Sequence, residues 1–320
     1  MDKLNHPFFS VIIPLYNKEQ YIQDTIKSVL KQSFKDFEII IVNDGSTDNS
    51  LEKSETALSN FENYTIINQE NKGLSSSRNK GISISKGQII ALLDADDLWH
   101  ELFLESIHEL YLSFPEASFY GTDYLEKYSE TNILETKKNI TPKLNNTKFL
   151  IKDFFLANKF QSIICQSSMA FKKEVTETIS FNETINYAED VDFYLKSFTR
   201  YKLAYYYKPL STILNNIPNQ ITKIGIKNKT LPNLDFYEKN NPNNLSLKKY
   251  LDFKRYMYAI QYKINRDKVN LKYYTNNLNY NNLTLKQRIL LRSPLLLLKT
   301  IKFIKKSFLK YNIRLTSFKS

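Results

Sequence analysis

Short apolar runs alternate with helix-period stripes through the first hundred residues. FFSVIIP (8–14) predicts a strand, and Glu19–Leu30 places Tyr21, Ile22, Ile26, Val29 and Leu30 on one helical stripe. FEIIIVN (37–43) is apolar almost throughout, the pattern of a parallel strand buried on both faces. Thr47 or Asp48 can cap a helix running to about Leu58. YTIIN (64–68) predicts a third strand, Leu74–Ser85 a helix, and QIIALLD (88–94) a fourth strand. Such alternation implies an α/β fold whose mostly parallel sheet is covered on both faces. Ligands of such sheets bind at the C-terminal strand ends. Tyr16, Asp44 and Asp94 each follow a predicted strand, so they are expected to converge on one edge.

The middle of the chain is less regular. The pattern predicts helices near 99–113, at Lys148–Asn158 and at Glu189–Arg200, with extended segments at Ala117–Tyr120, Ser167–Phe171 and Leu203–Tyr207. Asn228–Asn244 is rich in Asn and Pro and reads as a linker. The expected organisation is an α/β domain over 1–225, a linker over 226–244 and a helical region over 245–320.

Charge sharpens that division. Net charge is +12, but residues 216–320 hold 22 Lys/Arg against 4 Asp/Glu, and residues 1–215 hold 23 against 29. No acidic residue follows Asp267. Apolar residues at 42% and charged residues at 24% are globular composition. The single thiol, Cys165, excludes a disulfide scaffold and a Cys-rich zinc fold. The apolar run Phe8–Tyr16 falls short of the ~20 residues that span a bilayer. It also lacks the features of a signal peptide, so a buried strand of a cytoplasmic protein is expected.

Three acidic sites could carry chemistry. In VNDGSTDNS (42–50), Asp44 ends a buried strand, where a carboxylate can accept hydrogen bonds from a nucleobase or ribose, or simply close a strand-to-helix turn. In LLDADD (92–97), three carboxylates within four residues repel one another unless a cation sits among them, and hard oxygen ligands suit Mg²⁺ or Mn²⁺. The bland reading is a solvated acidic loop. In YAEDVDFYLKSF (187–198), Glu189 and Asp190 open a helix. They could serve the helix dipole or supply a general base.

Taken in order, VIIPLYN, VNDGSTDNS, NKGLSSSRNKGI, LLDADD and the AED before a helix resemble the family 2 glycosyltransferases of the GT-A fold, over roughly residues 8–222. SFNETINYAED is also similar to that family's approach to its catalytic helix. The resemblance implies that Pro14, Tyr16 and Asn17 pack against the nucleobase and that Asp44 bonds it. It implies that Arg78, Asn79 and Asp94 lie near the donor's ribose or diphosphate. It assigns Asp96, with Asp94 and Asp97 beside it, to a divalent cation, and Asp190, with Glu189 beside it, to the catalytic base. A sugar nucleotide, such as a UDP-sugar, is the implied donor, with inversion at the anomeric carbon. The implied acceptor is a lipid-linked or growing surface glycan. One departure is STILNNIPNQIT, which lacks the family's Arg and His after the last core strand; Asn216 is a candidate substitute.

The tail adds a further expectation. Ser293 and Pro294 suit a helix start. Leu297, Ile301, Ile304 and Phe308 then share one face, and Lys299, Lys302, Lys306 and Lys310 another. A basic amphipathic helix fits peripheral association with the anionic inner face of the cell membrane, or packing on the catalytic domain. No recognised nucleic-acid module accompanies the charge, so nucleic acid is not an expected partner. Two rivals to the transferase reading are a nucleotidyltransferase, and a membrane-docked interaction protein of the same fold without turnover.

Overall fold

The computed structural model describes residues 6–159, 161–215, 217, 225–309, 311 and 313–315. Asn216 and Lys310 lie outside the described residues. Strands β1 (Phe9–Leu15), β2 (Phe37–Asp44), β3 (Tyr64–Gln69) and β4 (Ile89–Leu92) pair in parallel in the order β3-β2-β1-β4. The same sheet continues through β5 (Leu98–Trp99), β6 (Phe119–Ser129), β7 (Asn132–Glu135), β8 (Lys148–Leu150), β9 (Met169–Lys172) and β10 (Leu203–Leu214). Its full path is β3-β2-β1-β4-β9-β6-β10-β5, with β9 antiparallel to both β4 and β6. Because β1, β2 and β4 are parallel, their C-terminal ends open on one edge.

Every residue of β1 and β2 is buried, as their apolar runs require. Phe9, Val11, Ile13 and Leu15 face helices α1 (Ile22–Leu30) and, further along, α4 (Phe103–Ser113). Ile12, Ile40 and Val42 face the opposite core, which holds residues of α3 (Leu74–Ile84) and α6 (Glu189–Phe198). Helix α2 (Ser50–Leu58) follows β2. Gly81 sets the approach of α3 to the sheet, since a Cβ there would lie 2.4 Å from Ile12 Cγ2.

Two segments differ from the sequence expectation. Lys148–Asn158 is not one helix: β8 pairs antiparallel with β10, and only α5 (Phe154–Ala157) is helical. Asp153 divides them, because its extended backbone and its side chain, accepting from Leu156 N at 2.9 Å, start a new helix. Within 226–244, residues Leu234–Asn240 form α7. Arg255 of α8 (Leu245–Ile264) ties α7 down through Asp235 at 2.6 Å and Glu238 at 2.5 Å.

Helix α8 buries Leu247, Tyr250, Leu251, Tyr258 and Ala259 in the same core as α3 and α6. Helices α9 (Lys268–Asn276), α10 (Leu285–Arg292) and α11 (Leu295–Leu309) complete the C-terminal region. Leu298 is the buried anchor of α11, whereas Leu296 and Phe303 are 78% and 72% exposed. Among the described residues, no helix is long and apolar enough to cross a membrane.

Candidate active site

The loops after β1 and β2 are laced together. Asn17 has a left-handed backbone (φ 50°), accepts from Thr47 N at 2.8 Å through its Oδ1, and donates its own N–H to Ser46 Oγ at 3.1 Å. Lys18 N donates to Ser50 Oγ at 2.7 Å, and Glu19 N to Asp48 Oδ2 at 3.1 Å. Pro14 is buried in β1, and Tyr16 just beyond it is 45% exposed at the edge. Asp44 ends β2 and is buried, accepting from Gln69 Nε2 (2.8 Å), Lys72 N (2.9 Å) and Gly73 N (2.8 Å). It thereby fixes the turn that launches α3.

The turn after β4 holds the acidic triplet. Ser167 locks it by donating to Asp97 Oδ2 (2.6 Å) and accepting from Asp94 N (3.1 Å). Asp97 Oδ1 takes Leu214 N at 3.1 Å, so both Asp97 oxygens are committed to protein donors and the side chain is buried. Asp96 and Asp94 are more open. Asp96 pairs with Lys18 Nζ at 2.6 Å, and Asp94 with Arg78 at 2.7 Å.

Arg78 is the hub of the site. Its guanidinium is 1% exposed, lies 5.2 Å from the Phe181 ring centroid, and also reaches Glu189 Oε1 at 3.2 Å. One side chain on α3 thus joins the end of β4 to the start of α6. Asn79 holds the approach to α6: its Oδ1 accepts from Phe181 N (3.0 Å), and its Nδ2 donates to Phe181 O (2.9 Å) and Glu183 Oε1 (2.8 Å). Ala188, before the helix, adopts φ 61°, ψ 37°, a left-handed conformation that costs a non-glycine residue about 1 kcal/mol or more. Asp190 follows, its Oδ1 accepting from Val191 N at 2.8 Å.

Asp94, Asp96, Asp97, Glu189 and Asp190 crowd this part of the edge with Lys18 and Arg78. Burial pushes Asp96 above the ordinary carboxylate range by more than the Lys18 ammonium pulls it down, and Asp94 adds to the rise. Asp97 is pushed well above that range by burial first, then by Asp96 and Asp94. Glu189 is raised by burial against the pull of Arg78. Burial works against the Arg78 charge, but Asp94 and Glu189 outweigh it and hold its proton more tightly. The edge is therefore short of positive charge. Among the described residues, no three His, Cys, Asp or Glu side chains form a ready cation cage. The partly open pair Asp94–Asp96 does fit Mg²⁺ or Mn²⁺ chemistry, since Mg²⁺ usually takes one or two carboxylates and completes its shell with phosphates and water.

The sequence reading did not single out Lys18 or Ser167. Lys18 carried a usable signal, since it directly follows Asn17 in a strand-end loop that had to face the acidic edge. Ser167 carried none, because a serine 70 residues from Asp97 gives no sign of that contact.

The sequence model of glycosyl transferase family 2 matches residues 10–180. This chain belongs to that family. The family 2 chain is 30% identical to the glycosyltransferase EpsJ of Bacillus subtilis over 232 residues, covering 69% of this chain and 64% of EpsJ. It is 29% identical over 198 residues to the minor teichoic acid biosynthesis protein GgaA of Bacillus subtilis, covering 58% of this chain and 42% of that one. It thus spans less than two thirds of the length of these curated relatives. Its fold is similar to that of S. aureus TarS residues 1–349, solved in complex with UDP-GlcNAc, with TM-score 0.56 and 18% identity, covering 88% of this chain and 78% of that one. The α/β fold with a GT-A-like, mostly parallel sheet and a helical C-terminal region stands as expected.

Proposed function

We propose that this family 2 chain transfers a sugar from a UDP-sugar to a hydroxyl of a lipid-linked or growing surface glycan, inverting the anomeric carbon. What carries the reading is the Arg78 hub, which brings the Asp94–Asp96 turn and the Glu189–Asp190 helix start to one sheet edge. In this scheme the Tyr16–Asn17 loop and Asp44 border the nucleobase. Asp94 and Asp96 would hold a divalent cation, which would offset charge on the departing diphosphate. Asp190, rigid at the first turn of α6, takes the proton of the attacking hydroxyl. Direct displacement opposite the leaving nucleotide needs one base and no enzyme nucleophile. Asp97 and Asn79 act as positioning residues, because their polar atoms are committed to Ser167, Leu214, Phe181 and Glu183. The name of EpsJ favours glycosyl transfer over nucleotidyl transfer, and the teichoic acid relative GgaA favours a surface-polymer acceptor.

The test is a panel of UDP-, GDP- and dTDP-sugars with Mn²⁺, scored by calorimetric binding and slow donor hydrolysis. UDP-sugars are expected to bind and to release UDP. Binding of none of them, or pyrophosphate release from a nucleoside triphosphate, would overturn the reading.

The exposed face of α11 supports a second part of the proposal, peripheral docking at the anionic inner membrane face. Leu296, Leu297, Phe303, Ile304 and Phe308 are exposed beside exposed Lys299, Lys302 and Lys306. Each lysine near such a surface contributes ~1 kcal/mol. Co-sedimentation with phosphatidylglycerol vesicles should be strong, and should be lost with Phe303→Asp plus Leu296→Asp. Unchanged sedimentation of that variant would contradict the docking face.

A further inference from the structure

Asp190 has neighbours that neither the donor nor the base role uses. Tyr250, Lys254 and Tyr258 recur every fourth residue and form one stripe along α8. Lys254 makes no ion pair or hydrogen bond among the described residues; its Nζ lies 4.9 Å from the Tyr250 ring centroid. The hydroxyls of Tyr258 and of Tyr194, one turn beyond Asp190 on α6, are buried and have no hydrogen-bond partner. Asp190 is within electrostatic reach of all four groups. Burial lowers the Lys254 pKa and the Asp190 carboxylate pulls it back up. Burial raises the phenols of Tyr194, Tyr250 and Tyr258, with Asp190 next in effect.

Buried polar groups are normally paired, and an orphaned donor costs about 1–3 kcal/mol. Here two phenolic hydroxyls are buried without a partner, and the half-buried Lys254 ammonium packs on the Tyr250 ring with no carboxylate in contact, Asp190 being the charge that acts on all three. Asp190 carries a single charge and is already engaged with Val191 N. The diphosphate of a sugar nucleotide is already provided for by the cation that Asp94 and Asp96 would hold, while Lys18 and Arg78 are spent on those carboxylates and on Glu189. The spare donors therefore suit an anion that arrives with the other substrate.

We propose that the Tyr250–Lys254–Tyr258 stripe, with Tyr194, is an anion-binding subsite for the acceptor, taking a phosphate ester carried close to the hydroxyl that Asp190 deprotonates. Helix α8 would thus do more than pack against the α/β core, since it selects acceptors by charge. This deepens the glycosyl-transfer reading and rests on it.

The experiment uses the full chain saturated with UDP and Mg²⁺, so that the donor phosphate site is filled, and titrates in glycerol 3-phosphate, with glycerol as control. Saturable binding of glycerol 3-phosphate and none of glycerol is expected. Lys254→Met should weaken that binding at least tenfold, Tyr258→Phe about threefold, and Lys254→Arg should restore most of it. UDP affinity should stay within twofold in all three variants, and their thermal midpoints verify folding. No saturable binding to UDP-loaded protein, or equal binding by Lys254→Met, overturns the subsite alone. Failure of the wild-type chain to take up UDP overturns the donor-site reading, and the subsite with it.

Discussion

Replacing Arg78 by methionine keeps most of the apolar stem of the side chain but removes the charge that two carboxylates share. Arg78 sits 2.7 Å from Asp94 and 3.2 Å from Glu189, and is itself 1% exposed. Removing one partner of a fully buried ion pair costs about 3–5 kcal/mol, mostly because the other charge is left uncompensated. Glu189 is 15% exposed and Asp94 32%, so solvent screens part of that loss and ~2–4 kcal/mol is the expected cost. The assay is urea unfolding of wild type, Arg78→Met, Glu189→Gln and the double variant. The double variant should recover part of the loss, since the neutral amide no longer needs a cation, and the cycle should give a coupling of ~1 kcal/mol or more. Arg78→Lys should rescue little, because an ammonium lacks the fork that spans both carboxylates. A loss below ~1 kcal/mol for Arg78→Met, with no coupling to Glu189, would refute the hub.

Three further outcomes follow from the packing. Asp97→Asn must present an NH₂ group either to the Leu214 N–H or to Ser167, and should cost ~1–3 kcal/mol by chemical denaturation; a neutral result would show that the turn does not depend on those bonds. Gly81→Ala forces a Cβ to 2.4 Å from Ile12 Cγ2 and should destabilise by ~1–3 kcal/mol, whereas a helix-propensity gain alone would stabilise. Burial holds the Lys138 ammonium down at about 8, against the pull of Asp123. The native chain then gives up this proton while the unfolded chain keeps it to 10.5, so stability relative to Lys138→Met should rise as pH climbs from 8 to 10.5, by up to ~3 kcal/mol. A flat difference across that window would refute the shift.

The half of the sheet that builds the candidate site was legible because its strands are buried on both faces. FEIIIVN leaves little choice but a central parallel strand, and parallel strands put Tyr16, Asp44 and Asp94 on a common edge. What the sequence hid are contacts between residues far apart in the chain, whose partners no local pattern encodes. Asn79 clasps Phe181 across 102 residues, and Lys18 of the first strand-end loop meets Asp96 of the fourth. Helix α8 hid its stripe for another reason: its tyrosines lie on several faces, and only the packed structure shows that the Tyr258 hydroxyl is buried without a partner. The tail pattern pointed to an apolar face on α11, but Leu298, not named in it, is the residue that anchors the helix.

The most direct test of the account is the rate of UDP release from its best UDP-sugar, with water as acceptor, in wild type and Asp190→Asn. If Asp190 is the base at the edge that also holds the diphosphate, hydrolysis should fall ~10²–10⁴-fold while the dissociation constant for the donor stays within about twofold. Undiminished hydrolysis by Asp190→Asn, or a donor affinity that collapses with it, would contradict the account.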